Sequence, residues 1–297
     1  MTETTDSGRP GTAELRMVWG WIERGRPEKA LEELQRVWHL SSTDVRPHML
    51  RAVALSGQQR WAEVIEVIRE GFALHGPVGV YFPIIGDALR KLGRLQEAES
   101  AYLEGLRHWP NDADLLLGYA RVCVDAGQAD KAAALADRAA AQNPEHPLLD
   151  KDRATIAFAQ GKHTEMHRHT TQALAGDPDD VAARALHGAA AHSTGDHDAA
   201  YRSLARAAAN EPGNAPLLEA AREARMIRHP LMRPLTVFGT VNPLALWLGA
   251  ILVIGVLNAA APQPAGFVAA IVWLVFCVYS WVVPPVLRRW LDWRARR

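Results

Sequence analysis

Histidine crowds residues 163–197 of this 297-residue chain, with His163, His167, His169, His187, His192 and His197 in close succession. Imidazole nitrogens are metal ligands, and His163 and His167 stand one helical turn apart, close enough to share an ion. A structural metal site wants four ligands with fixed outer partners, however. No cysteine or carboxylate cluster completes this one, since the chain has only Cys123 and Cys277. The group therefore reads as solvated helix surface, with pH response as the one further chemistry open to it. The acidic stretches 111–114 and 177–180 suggest calcium, but each coincides with the start of a helical pattern, where short polar side chains cap backbone N–H groups. There is no phosphate-binding loop, dinucleotide fingerprint, His-Glu-x-x-His or Gly-x-Ser-x-Gly motif. No enzyme activity, catalytic residue, metal, cofactor or small-molecule substrate is expected.

The elements that carry these side chains announce themselves by period. Pro110, Pro144, Pro178 and Pro212 are each 34 residues apart, and so are Gly93, Gly127, Gly161 and Gly195. The same step links Ala30, Val64, Ala98, Ala132, Met166 and Ala200, and also Val37, Gly71, Gly105, Ala139, Ala173 and Ala207. Between these columns apolar residues fall at three- and four-residue steps, as in Leu95, Ala98, Tyr102 and Leu106, placing one stripe on one helix face. Each unit is then two helices, with glycine at the turn and proline ending the second. The small column lets helix backbones approach closely. In the second unit the glycine, Gly57, comes two places early, which predicts a longer turn. Asp150 and Arg153 fall in the first helix of the fifth unit, and Arg184 and His187 in that of the sixth.

A 34-residue helix-turn-helix with this placement of Gly, Ala and Pro resembles the tetratricopeptide repeat, most closely at 93–110 (GRLQEAESAYLEGLRHWP) and 127–144 (GQADKAAALADRAAAQNP). The register predicts an all-α fold, an α-solenoid of about six repeats over residues 11–214 preceded by a disordered terminus at 1–10. An additional helix within 215–233 closes the stack, because a terminal repeat would otherwise leave its apolar face in water. The resemblance implies a concave groove lined by first helices, and it places Trp19, Ile22, Met49, Val53, Ile84, Asp87, Arg90, Lys91 and Arg121 there. The apolar end would grip a hydrophobic anchor, with Arg90, Lys91 and Arg121 reading an acidic segment. The alternative for Trp19 is packing against its own chain. The family's carboxylate clamp is not reproduced, since Thr155 stands where Asn is expected after Lys151.

The formal charge of zero, from 33 basic and 33 acidic residues, argues against nucleic-acid binding. It conceals an uneven layout. Residues 234–287 contain no Asp, Glu, Lys or Arg, and basic segments flank them at 222–233 and 288–297. This block is long enough for two transmembrane helices, about 243–261 and 266–283, broken by Pro262, Pro264 and Gly266. Arginines on both flanks and none in the connection put both termini in the cytoplasm. Arg225, Arg228, Arg233, Arg288 and Arg289 would meet anionic headgroups, with 288–297 as a basic tail. Arg-rich, Ala-rich composition suggests a bacterial source. The expected function is a membrane-anchored scaffold that binds protein partners, peptides or helices, beside membrane lipids. The competing expectation is an assembly or quality-control factor whose hairpin makes the main contacts with other membrane proteins.

Overall fold

The computed structural model describes residues 12–232, 234–235, 243–260 and 265–295. The expected disordered terminus at 1–10, Arg233 and the connection around Pro262 lie outside the described residues. Those described form fifteen α-helices and no strand. The chain divides into two compact units, residues 1–169 and 170–297.

The first unit consists of helix pairs in chain order: α1 (Thr12–Glu23) with α2 (Pro27–Val37), α3 (Arg46–Gly57) with α4 (Trp61–His75), and α5 (Tyr81–Lys91) with α6 (Leu95–His108). α7 (Ala113–Asp125) with α8 (Ala129–Gln142) follow, then α9 (Leu149–Ala159) and the start of α10 (His163–Gly176). In the first four pairs each helix packs on its partner, and α1, α3, α5, α7 and α9 also touch one another in succession, so the first helices form one continuous wall. Behind it runs a core containing Ile65, Ile68, Tyr81, Tyr102, Leu115, Leu116 and Leu117, all fully buried.

The periodic columns explain this stacking. Ala30, Val64, Ala98, Ala132 and Met166 are all at most 1% exposed, the places where adjacent backbones come closest. Gly71 and Gly105 in the second column receive side chains of the following repeat. A Cβ on Gly71 would lie 2.8 Å from the Tyr81 ring, and one on Gly105 would lie 3.0 Å from Leu115. Tyr102 is held tighter still, since a Cβ on Gly86 or Gly118 would lie 2.5 or 2.3 Å from its ring.

The turns correct one expectation. Gly25, Gly93, Gly127 and Gly161 adopt φ of 67°, 74°, 73° and 70°, the left-handed conformation that lets one helix stop and the next start. In the second repeat that position belongs to Gln59, at φ 58°, while Gly57 is the last residue of α3. The turn is therefore the same length as the others, and a non-glycine residue adopts the conformation. The geometry of the stack sets the turn, and the side chain accommodates to it.

In the second unit α11 (Val181–Ser193) packs on α12 (His197–Asn210), and α12 on α13 (Ala215–Ile227). Leu204, Ala207, Leu217 and Ala224 form their shared core. Helix starts carry the expected caps, with Asp180, Asp196 and Asn214 accepting from the N–H groups of Ala183, Ala199 and Leu217. α14 (Pro243–Ala260) and α15 (Ala265–Ala295) pack on each other. α15 runs on through Pro284 and Pro285, so the described part of 288–297 is helical. Within it 267–291 is a 25-residue segment whose most apolar 18-residue stretch has mean hydropathy 2.2 and no buried residue, the one described helix long and apolar enough to cross a membrane. α14 is a shorter apolar helix with Trp247, Leu248, Ile251 and Leu252 exposed.

Candidate functional site: the first-helix wall

Trp19, Val53, Asp87 and Arg121 are separated by 34 residues each, so they occupy one register position on α1, α3, α5 and α7. The wall changes character along this column. At its start Trp19 is 44% exposed, its indole Nε1 donating to Glu23 Oε1 at 2.7 Å, and Met17 beside it is 45% exposed. Met17 was missed in the sequence, where it sits outside the register columns. Ile22, Met49, Val53 and Ile84 are half-buried, with Met49 and Ile84 packed against the core. This end of the wall is apolar.

From α5 onward the wall is a ladder of ion pairs. Arg90 contacts Asp87 at 3.2 Å and Asp125, one repeat on, at 2.8 Å. Arg121 reaches back to Asp87 at 3.4 Å and forward to Asp152 at 3.8 Å, with a further bond to the Leu117 carbonyl. Two guanidinium groups thus face three carboxylates drawn from α5, α7 and α9. Flanking carboxylates hold Arg90 firmly charged despite its partial burial. Arg90 and Arg121, expected to read an acidic segment, each find aspartates on their own or neighbouring first helices, so their charge is already paired within the chain. Lys91, by contrast, is exposed at the end of α5.

Asp152 was not anticipated. It is 8% exposed, and its Oδ2 has no hydrogen-bond partner among the described residues. Burial raises its pKa to about 6, a shift that Arg121 opposes and Asp87 reinforces. A signal existed in the period, because 34-residue steps run Leu50, Ile84, Gly118, Asp152, an acid in an apolar column.

The other expected chemistry disperses. His169 Nδ1 lies 3.0 Å from Asp150, His187 Nδ1 lies 3.0 Å from Ser203 Oγ, and the rings of His192 and His197 stand 5.7 Å apart. Among the described residues no three His, Cys, Asp or Glu converge as a metal site. Asp112 accepts from the Leu115 N–H at 3.0 Å, a cap as the acidic stretch suggested. Asp150 and Arg153 pair with His169 and Asp137. Arg184, 5% exposed, contacts Asp179 at 3.3 Å and leaves Nε and Nη1 without partners among the described residues. Of the basic collar, Arg228 contacts Asp198 at 2.5 Å and lies over the Tyr201 ring, Arg288 pairs with Glu219, and Arg225 and Arg289 are exposed. Arg233 is outside the described residues.

Residues 85–147 match the family model of the tetratricopeptide repeat. No curated protein matches the chain in sequence. Among solved structures, a chain of the APC/C hetero-tetramer Cut9–Hcn1 is similar with a TM-score of 0.66 at 15% identity, over 76% of this chain and 45% of that one. This chain thus spans less than half of that protein's length. A tetratricopeptide repeat protein of Thermus thermophilus aligns with a TM-score of 0.54 at 21% identity, over 60% of this chain and 97% of that one. PilW, a type IV pilus biogenesis factor, aligns with a TM-score of 0.56 at 16% identity, over 70% of this chain and 97% of that one. At such identities the likeness is one of fold. The sequence match at 85–147 and the shared architecture of stacked helix pairs together support a tetratricopeptide repeat protein.

Proposed function

We propose that this chain is a membrane-anchored scaffold for protein–protein interaction, with its first-helix wall holding a partner peptide or helix on the cytoplasmic side. The observation that carries the partner reading is the exposed indole of Trp19 at the head of a register column that continues through Val53 to the paired charges at Asp87 and Arg121. A half-exposed tryptophan beside Met17, on a wall of half-buried apolar residues, has the make-up of an interface hot spot. The ladder beyond it pairs both its cations internally, so it supplies shape and orientation, while affinity comes from the apolar end. Lys91 adds one exposed cation at the border. A partner fitting this wall carries an aromatic or aliphatic anchor followed by residues of mixed charge.

Anchoring is supported by the exposed apolar segment 267–291 and by the uncharged stretch 234–287, with α14 as a second span. Arginines flanking both ends argue that both termini face the cytoplasm. Confinement to the bilayer raises the effective concentration of any partner already there.

The experiment is affinity capture from detergent extract of the source cell with the full-length chain. Trp19→Ala should weaken the recovered partner's binding by about 2 kcal/mol, roughly thirtyfold, and Arg202→Ala on α12 should leave it unchanged. Equal recovery with Trp19→Ala and wild type rejects the wall as the binding surface. Sedimentation of the chain with membranes, released by detergent and not by salt, tests the anchor, and a monodisperse soluble protein rejects it.

A further inference from the structure

At the foot of the second unit, α13 and the last three turns of α15 enclose a cavity of 290 Å³. Its walls combine two chemistries. Arg222 and Arg225 come from α13 and Arg288 from α15, while Met226 and Leu291 supply an apolar floor continuous with the buried cluster of Met232, Leu287 and Leu291. Glu219 balances part of this charge, pairing with Arg288 and, at 3.6 Å, with Arg222. Arg225 has no ion-pair partner among the described residues, and Glu223 on the rim is likewise unengaged. The cavity thus has one guanidinium fully available and two held by a single exposed carboxylate, an exchangeable arrangement. An incoming anion with several acceptor oxygens replaces one carboxylate and gathers three guanidinium groups, which bind phosphate bidentately.

Position supplies the second argument. Arg288 and Leu291 lie at the end of the apolar segment 267–291, and Trp290 and Trp293 beside them are 42% and 52% exposed, rings suited to the headgroup level. A cationic rim over an apolar floor at that depth matches an amphiphile with a phosphate head. We propose that this cavity is a binding site for the phosphate of an anionic phospholipid headgroup, held by Arg222, Arg225 and Arg288. The proposal rests on the reading that α15 lies in a membrane, and it goes beyond general attraction of a basic collar to a charged surface. It assigns the affinity to three arginines that face one cavity and withholds it from Arg289, which is exposed on the same turn but does not line the cavity.

The test uses the full chain. Flotation with vesicles of phosphatidylcholine alone reads the anchoring by itself, because those vesicles carry no net charge, and failure to float rejects the anchor without reference to the cavity. Retention of phosphatidylglycerol is then measured by native mass spectrometry of the chain in a neutral detergent, where no surface potential contributes. The wild type should retain one phosphatidylglycerol in preference to phosphatidylcholine. Arg222→Ala with Arg225→Ala should weaken retention by about twenty-fivefold, from about fivefold for each arginine–phosphate contact, and Arg289→Ala should leave it unchanged. Glu223→Gln should strengthen retention, a gain that misfolding cannot produce. Equal losses in the Arg289→Ala and the double variant, or no preference over phosphatidylcholine, overturn the site. Binding of inorganic phosphate with no retained phospholipid assigns the cavity to a soluble anion and overturns the lipid reading.

Discussion

Replacing Asp152 by Asn tests the charge ladder through its effect on stability. Asp152 lies 8% exposed on α9, with Arg121 as its cationic neighbour at 3.8 Å and Asp87 as a like charge. Burial raises its pKa from the ordinary 3.8 to about 6, with Arg121, Lys151 and His146 opposing the rise and Asp87 adding to it. A carboxyl group whose pKa is higher folded than unfolded favours the native state when protonated. Its contribution is therefore unimpaired below pH 4, declines as the pH rises from about 4 to about 6, and stays low above. The shift of about two units corresponds to about 3 kcal/mol. Asn keeps the shape and stays neutral, so Asp152→Asn should be about 2 kcal/mol more favourable relative to wild type at pH 7.5 than at pH 4: any cost of the amide is the same at both pH values and cancels, and a small part of the total of about 3 kcal/mol is already lost at pH 4, just above the unfolded pKa. Because repeat arrays open in segments, the assay is hydrogen exchange of peptides covering α7 and α9 in the full chain at both pH values. Comparing the variant with wild type at each pH cancels all other titrations. A change of the same size at both pH values would show that Asp152 is charged and satisfied, and the account of its burial would be wrong.

Three further substitutions probe the stacking. Gln59→Gly relieves a left-handed residue at φ 58° and should raise stability by about 1 kcal/mol, read as a higher urea midpoint; a lower midpoint would mean that the glutamine side chain is needed there. Gly118→Ala drives a methyl group into the Tyr102 ring and should cost about 1–3 kcal/mol, seen as earlier loss of helical signal on heating; an unchanged melt would show that Tyr102 can move aside. Asp112→Ala removes the cap of α7 and should cost about 1 kcal/mol, with faster exchange at the Leu115 amide as its local signature.

The repeats were legible from sequence because the information that makes them is local. A residue 34 positions on has the same neighbours, so selection for close approach leaves a column of small side chains, and Ala30, Val64, Ala98 and Ala132 are buried as their spacing implied. Caps are equally local, since Asp112 bonds only three residues away. The uncharged block at 234–287 likewise stands out from composition, and its structure adds one long apolar helix and a shorter one.

What lay beyond the sequence depends on how far apart two first helices sit and which rotamers they permit. Gln59 stands in the glycine column because the next helix must start in a set direction, whatever residue occupies the turn. Arg90 and Arg121 look like free cations in one dimension, yet in three they meet Asp87, Asp125 and Asp152 from three successive repeats. Period and polarity along the chain determined the helices, their order and the apolar block. The tertiary stack alone decided which charges are spent on one another and which side chains, Trp19 foremost, remain exposed, because burial and pairing are properties of distances between helices that no single repeat contains.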